Sequence, residues 1–257
     1  MKKEGVLPVY NSVDLYFEHG DGVYQYTEDG TRYLDFTSGI GVTCLGHSHP
    51  ALVSALREQA GKLWHCSNLF KIKGQETVAK KIVDHSFASN VFFCNSGAEA
   101  VEAGIKAVRK YFYLNKKNKY KIICVNNAFH GRTLGAISAA GQDKLLEGFD
   151  PRLDGFEHVD FNNLEAIEKK IDKQTAAILI ETVQGEGGVN PATKEYLLGL
   201  KDLAKKNDLL LFFDEVQCGI GRTGKFLATD WVKNLEPNLV SIAKGVGGGF
   251  PLGALLL

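Results

Sequence analysis

The chain has 257 residues, enough for one large domain or two ordinary ones with an ample core. Thirty basic residues balance thirty acidic ones, so no electrostatic footprint points to nucleic acid or to an anionic membrane surface. Hydrophobic content of 44% fits a soluble globular chain, and runs such as LLLFF (209–213) are far too short to span a bilayer.

The first residues, MKKEGVLPVY, carry two lysines with no apolar core behind them, so no secretory signal is read there. The five cysteines (Cys44, Cys66, Cys94, Cys124 and Cys218) stand singly, which suits a reducing cytoplasm better than a disulfide framework or a zinc knuckle. VYQY (23–26) and RYLDF (32–36) flank Asp29-Gly30 and predict a hairpin with a two-residue turn. Pro50 is placed to open a helix running to about Leu63, and a second helix is expected over 75–85. Short β-rich runs then recur: VFFC (91–94), KIICV (121–125), FEHV (156–159), AAILI (176–180), LLLFF (209–213), LVSI (239–242) and GALLL (253–257). Helical patterns over 97–114, 163–171 and 193–206 separate several of them. Strands apolar on both faces that alternate with helices predict an α/β fold, a seven-stranded mostly parallel sheet covered by helices on both faces. The last link is too short for a helical crossover, so GALLL is expected to run antiparallel to its neighbour. Its closing leucines read as a buried strand, and the chain is expected to be a fragment that stops just after it.

In such a sheet ligands bind beyond the carboxyl ends of the strands, and the unusual polar residues fall there. VFFC runs into Asn95-Ser96-Gly97-Ala98-Glu99, where Ser96 and Glu99 have capping-box spacing. A helix starting at Gly97 is either an ordinary capped helix or a phosphate cradle. KIICV runs into Asn126-Asn127-Ala128-Phe129-His130-Gly131-Arg132, an aromatic and an arginine that suit a stacked ring and a gripped carboxylate. His130 on its own reads as a structural histidine. LLLFF runs into Asp214-Glu215-Val216-Gln217, and a carboxylate at the end of a buried strand needs a partner such as a lysine, a metal or a protonated ring nitrogen. AAILI runs into Glu181 and then Gln184-Gly185-Glu186. Lys244 is the only charged residue between Pro237 and Leu257. It is either a loop lysine reaching water or a buried amine with a depressed pKa. Pyridoxal phosphate would use all of these: a lysine, a carboxylate, a helix N-terminus, an aromatic and an arginine.

Two other motifs compete. GIGRTG (219–224) matches G-x-G-x-x-G and, extended to GIGRTGKF, nearly matches a phosphate-binding loop, but Phe226 stands where a magnesium-binding hydroxyl is needed. A nucleotide-binding module therefore remains the alternative of a different class, and an inactive interaction module is a third. His47-Ser48-His49 could suggest a metal but has no matching cluster nearby, so a turn before the Pro50 helix is expected and no metal site is assigned.

The stretches LGHSHPALVSAL, FFCNSGAEAVEAGIKAVR, NNAFHGRTLGA, ETVQGEGGVNPA, FFDEVQCGIGRTGKF and SIAKGVGGGFPLGA resemble, in order and spacing, the class III (subgroup II) aminotransferases of pyridoxal-phosphate fold type I. Within them, WHCSNLF (64–70) and LGHSHPAL are most similar to the branch acting on N2-acetylornithine in arginine synthesis; ornithine, succinylornithine, succinyldiaminopimelate and 4-aminobutyrate are the sister amines. The resemblance implies residues 1–45 as part of a smaller α+β domain and 46–257 as the cofactor-binding domain, with the rest of the small domain outside this chain. It implies pyridoxal 5'-phosphate as cofactor, an amino donor and 2-oxoglutarate as small-molecule partners, ping-pong transfer between them, and a homodimer. Lys244 would hold the cofactor and then move the proton at the substrate carbon. Asp214 would keep the ring nitrogen protonated, Gln217 would meet the phenolic oxygen and Phe129 would stack on the ring. Gly97 and Ala98, with Ser96 beside them, would bind the phosphate. Arg132 would take the substrate carboxylate, and Glu186 would line the substrate pocket. Thr182 stands where the family commonly has proline.

Overall fold

The computed structural model describes residues 5–257, so the first four residues, including both lysines read above, lie outside the described part. The described residues divide into two compact units, those up to residue 38 with 45–64, and residues 39–44 with 65–257. The division does not follow the expected break after residue 45. Residues 45–64 group with the N-terminal strands, and the short 39–44 segment groups with the larger unit.

In the smaller unit, Phe17–Asp21, Tyr24–Thr27 and Arg32–Leu34 form a three-stranded antiparallel sheet. The hairpin is present but its connection is longer than two residues. Asp29 Oδ1 accepts from Thr27 Oγ1 at 2.6 Å and from the Thr31 amide at 3.0 Å, and Gly30 takes the left-handed conformation. The first strand has no counterpart in the sequence pattern because FEHGD lacks alternation. The Pro50 helix covers Pro50–Ala60 and stops at Gly61. His49 caps it, its Nδ1 accepting from the Ala51 amide, while His47 Nε2 lies 2.8 Å from Asp35 Oδ2. Hydrogen bonds from Thr37, opposed by burial and aided by His47, pull the Asp35 carboxyl down to about 2. The histidine pair of the sequence is thus spent on a turn and a cap.

The larger unit holds the seven-stranded sheet. From edge to edge its strands are Val91–Cys94, Gly253–Leu256, Leu239–Ile242, Leu210–Asp214, Thr175–Glu181, Lys121–Val125 and Phe156–Val159. All pairs are parallel except those of Gly253–Leu256, which runs antiparallel to both neighbours, as the short link before it required. The period-two alternation of a strand sends successive side chains to opposite faces. Ile178, Ile180, Leu211 and Phe213 therefore pack on one side, and Ala177, Leu179 and Phe212 on the other. Helices Lys73–Asp84, Leu164–Lys170 and Lys194–Asn207 cover the first face, and Gly97–Leu114 covers the second.

Gly104 marks a close approach of the Gly97–Leu114 helix to the sheet, because a Cβ there would run into the Phe212 ring. Gly104→Ala is expected to cost about 1–3 kcal/mol, since overpacking outweighs the gain in helix propensity. A urea unfolding midpoint equal to or above that of the parent chain would refute this account of the contact.

Candidate active site

The carboxyl edge of the sheet carries a cavity of about 350 Å³ in the larger unit. Its wall is assembled from residues at and just beyond the strand ends: Asn95–Ala98, Phe129–Gly131, Glu181 with Glu186, Asp214 with Val216 and Gln217, and Ala243–Lys244. The antiparallel strand enters the sheet from this edge, so Gly249–Leu252 close the same cavity. A Cβ on Gly253 would run into the Ser96 carbonyl, so only glycine lets that strand slide in beside the helix start.

Asp214 ends its strand only 3% exposed. His130 Nδ1 lies 2.7 Å from Oδ2, and Oδ1 accepts from Ser241 Oγ at 3.1 Å and from the Val216 amide at 3.0 Å. The expected partner was a lysine, a metal or a ring nitrogen, and His130 alone reads as merely structural. Within the chain itself the partner is His130, 84 residues away, and no local signal joins the two. Burial by itself would lower the His130 pKa, but the hydrogen bond and charge of Asp214, helped by Glu181, carry it upward. The other ring nitrogen, Nε2, is buried without a hydrogen-bond partner.

Lys244 follows Leu239–Ile242 in a left-handed backbone conformation, φ 49°, uncommon for any residue with a side chain. Burial lowers its pKa, against the opposing charges of Glu186, Asp214 and Glu181, and Arg222 adds to the lowering. Among the described residues no acid is hydrogen-bonded to it, and its partial burial favours the reading of an amine with a depressed pKa. Ser96 caps Gly97–Leu114 by accepting from the Glu99 amide at 3.2 Å, and Glu99 reaches back to the Asn95 amide at 2.6 Å. The capping box is therefore shifted by one residue. The N–H groups of Gly97 and Ala98 have no intrahelical partner and lie at the cavity wall. Gln217 packs so closely on Gly185 that no Cβ fits between them.

The structure brings Ser96, Gly97, Ala98, Phe129, Glu186, Asp214, Gln217 and Lys244 to one wall. Arg132 is not among the lining residues; it is exposed, one position before Thr133, which caps the Leu134–Ala139 helix. Glu215 is fully buried, but it accepts from the Ala228 and Thr229 amides and from Thr182 Oγ1, a fold-holding role that also gives Thr182 its use. Residues 219–224 open no helix; they turn through left-handed glycines at 221 and 224. A dinucleotide or phosphate-loop site needs that helix, so the nucleotide reading fails. Among the described residues no cluster of three or more His, Cys, Asp or Glu side chains could hold a metal. No described helix is long and apolar enough to cross a membrane.

Solved structures define the class. The chain superimposes on ornithine aminotransferase from Toxoplasma gondii with a TM-score of 0.93 at 31% identity, over 99% of this chain and 61% of that one. With N-acetylornithine aminotransferase from Stenotrophomonas maltophilia K279a the TM-score is 0.83 at 39% identity, over 96% and 63%. The architecture is that of fold type I aminotransferases. Residues 8–257 match the model of the class-III aminotransferases, and the chain belongs to that family. Acetylornithine aminotransferase from Mesorhizobium japonicum is 51% identical over 257 residues, which take in all of this chain and 64% of that protein. The chain thus spans just under two thirds of that relative's length.

Proposed function

We propose that this chain carries the cofactor site of a pyridoxal-phosphate-dependent aminotransferase that moves the terminal amino group of N2-acetylornithine to 2-oxoglutarate in arginine synthesis. The observation that carries the reading is one cavity that unites a lysine of lowered pKa, a buried aspartate and the N-terminus of an 18-residue helix. The choice of amine rests on similarity to acetylornithine aminotransferases at about half of all positions. A homodimer in the cytoplasm is part of the same proposal.

The donor set fits the cofactor. Free N–H groups at Gly97 and Ala98, with the positive end of the helix dipole, suit a phosphate. Asp214 offers a carboxylate whose orientation is set by His130, Ser241 and the Val216 amide, which suits a protonated ring nitrogen. Phe129 would supply a flat wall and Gln217 a hydrogen bond. When bound, the cofactor supplies an electron sink that stabilises negative charge at the substrate carbon.

The chain's own residues do the rest. Lys244, depressed by burial, is a neutral amine in a larger fraction of molecules than an exposed lysine, and so can take a proton from the substrate carbon and return it. Asp214, held from three sides, can keep a ring proton in place without moving. Apolar side chains of Val42, Val216, Ala243, Phe250 and Leu252 wall the cavity and limit water. Glu186 at the cavity wall and Arg132 outside it would meet the charged ends of the substrates.

The test has two parts. After incubation with pyridoxal phosphate and borohydride reduction, mass spectrometry of a digest is expected to find the pyridoxyl adduct on the peptide carrying Lys244. Adducts scattered over surface lysines, or none, would overturn the cofactor reading. Rates on N2-acetylornithine, ornithine, succinylornithine, succinyldiaminopimelate and 4-aminobutyrate are then compared in the full-length protein. The first is expected to be fastest, and any other order reassigns the amine.

A further inference from the structure

We propose that Glu181 is a positioning residue whose single buried carboxylate ties the loop carrying Phe129 to the loop carrying Glu186, so that one side chain sets two walls of the cavity. Glu181 ends the Thr175–Glu181 strand, in register beside Asp214, and is 5% exposed. Its Oε2 accepts from the Phe129 amide at 3.1 Å, and its Oε1 accepts from the Gly185 amide at 3.3 Å. The first of these loops lies 52 residues away in sequence, so the carboxylate joins segments that no secondary structure joins. A second bond runs the same way, from Gln184 Nε2 to the Asn126 carbonyl at 2.9 Å. The inference rests on the aminotransferase reading only for what the two loops then hold.

Geometry gives the tether a proton dependence. A carboxylate accepts at both oxygens, whereas the protonated acid holds one of the same hydrogen bonds more weakly. Burial and the neighbouring charge of Asp214 raise the Glu181 pKa, His130 and the two amides oppose them, and the balance lies at about 7. The titratable groups facing it are His130 on the Phe129 loop, Asp214 on the adjacent strand, Cys218 beyond that strand and Lys244 across the cavity. As pH rises through that value the ionised carboxylate tightens both tethers, although ionising it inside the fold costs global stability.

The experiment is amide hydrogen exchange on the full chain, without cofactor, corrected for intrinsic rates. Protection at Phe129 and Gly185 is expected to rise between about pH 6 and pH 8, on either side of the Glu181 pKa. In Glu181→Gln the amide oxygen can hold one tether but the side-chain NH2 cannot accept the other, so protection is expected to fall about tenfold at whichever of Phe129 and Gly185 loses its acceptor and to become independent of pH at both. Unchanged protection in that variant would overturn the proposal, as would a pH dependence that persists, which would assign it to His130. Should the variant fail to fold, NMR titration of the parent decides: the amides of Phe129 and Gly185 must titrate together, and flat or separate curves reject the link. Failure to form the Lys244 adduct bears on the aminotransferase reading alone, because the exchange measurement needs no cofactor.

Discussion

Asp214→Asn is expected to lower the unfolding free energy by about 3–5 kcal/mol, the usual cost of removing one partner from a buried charged pair. The reason lies in what the variant leaves behind. His130 is 2% exposed, its Nε2 has no hydrogen-bond partner, and its Nδ1 depends on Asp214 Oδ2 at 2.7 Å. An asparagine oxygen can still accept one hydrogen bond, but it brings no charge to balance an imidazolium. The pH dependence has a definite sign. The folded His130 pKa is raised above its ordinary 6.5, so its pairing stabilises the fold fully below that value and less as pH climbs through the folded value. The deficit of Asp214→Asn should therefore be larger at about pH 6 than at about pH 9 in urea unfolding. A deficit that stays flat across this range would show that His130 is neutral in the fold and that the pair is held without charge. The same substitution should also weaken cofactor retention, because it alters a carboxylate fixed from three sides in the cavity wall.

Lys244→Ala should abolish the pyridoxyl adduct on its peptide and reduce amino transfer by about 10⁴-fold or more, since both the covalent hold and the mobile base are lost. Lys244→Arg should fare little better. Guanidinium keeps a positive charge but does not release its proton in proteins, so it cannot act as a base. Rapid mixing of cofactor-loaded protein with the amine isolates this step from product release. Turnover of the alanine variant within about tenfold of the parent would sink the assignment of Lys244 as the base. An unfolding midpoint for Lys244→Ala at or above that of the parent is the companion expectation. The variant removes a half-buried amine that, among the described residues, no hydrogen-bonded acid neutralises.

Much of this protein is legible in one dimension, for a physical reason. A strand buried on both faces must be apolar at nearly every position, so KIICV, AAILI, LLLFF, LVSI and GALLL announce themselves, and they meet the edge strands VFFC and FEHV in one sheet. The length of a connection limits its direction, which is why Gly253–Leu256 could be expected to turn back. A carboxylate or lysine directly after such a strand is costly to bury and therefore conspicuous, so Asp214 and Lys244 stand out from sequence alone. The exposed FEHGD strand, by contrast, buries too little on either face to leave a pattern, and the three-stranded sheet is legible only in part. The helix Leu134–Ala139 is hidden for a different reason: it is buried, but its six residues are too few for a period.

What the sequence by itself determined is the inventory: seven core strands, the helices that cover them, and a set of polar groups waiting at the strand ends. The tertiary structure alone decided which of those groups meet. The partner of Asp214 is His130, the amides steadied by Glu181 belong to Phe129 and Gly185, and Glu215 serves the fold instead of the cavity. These choices follow from strand order, which places residues 130, 181 and 214 at one sheet edge although the chain separates them widely. Local propensity reports on what each segment can bury, whereas a hydrogen bond between distant segments depends on where the whole sheet puts them.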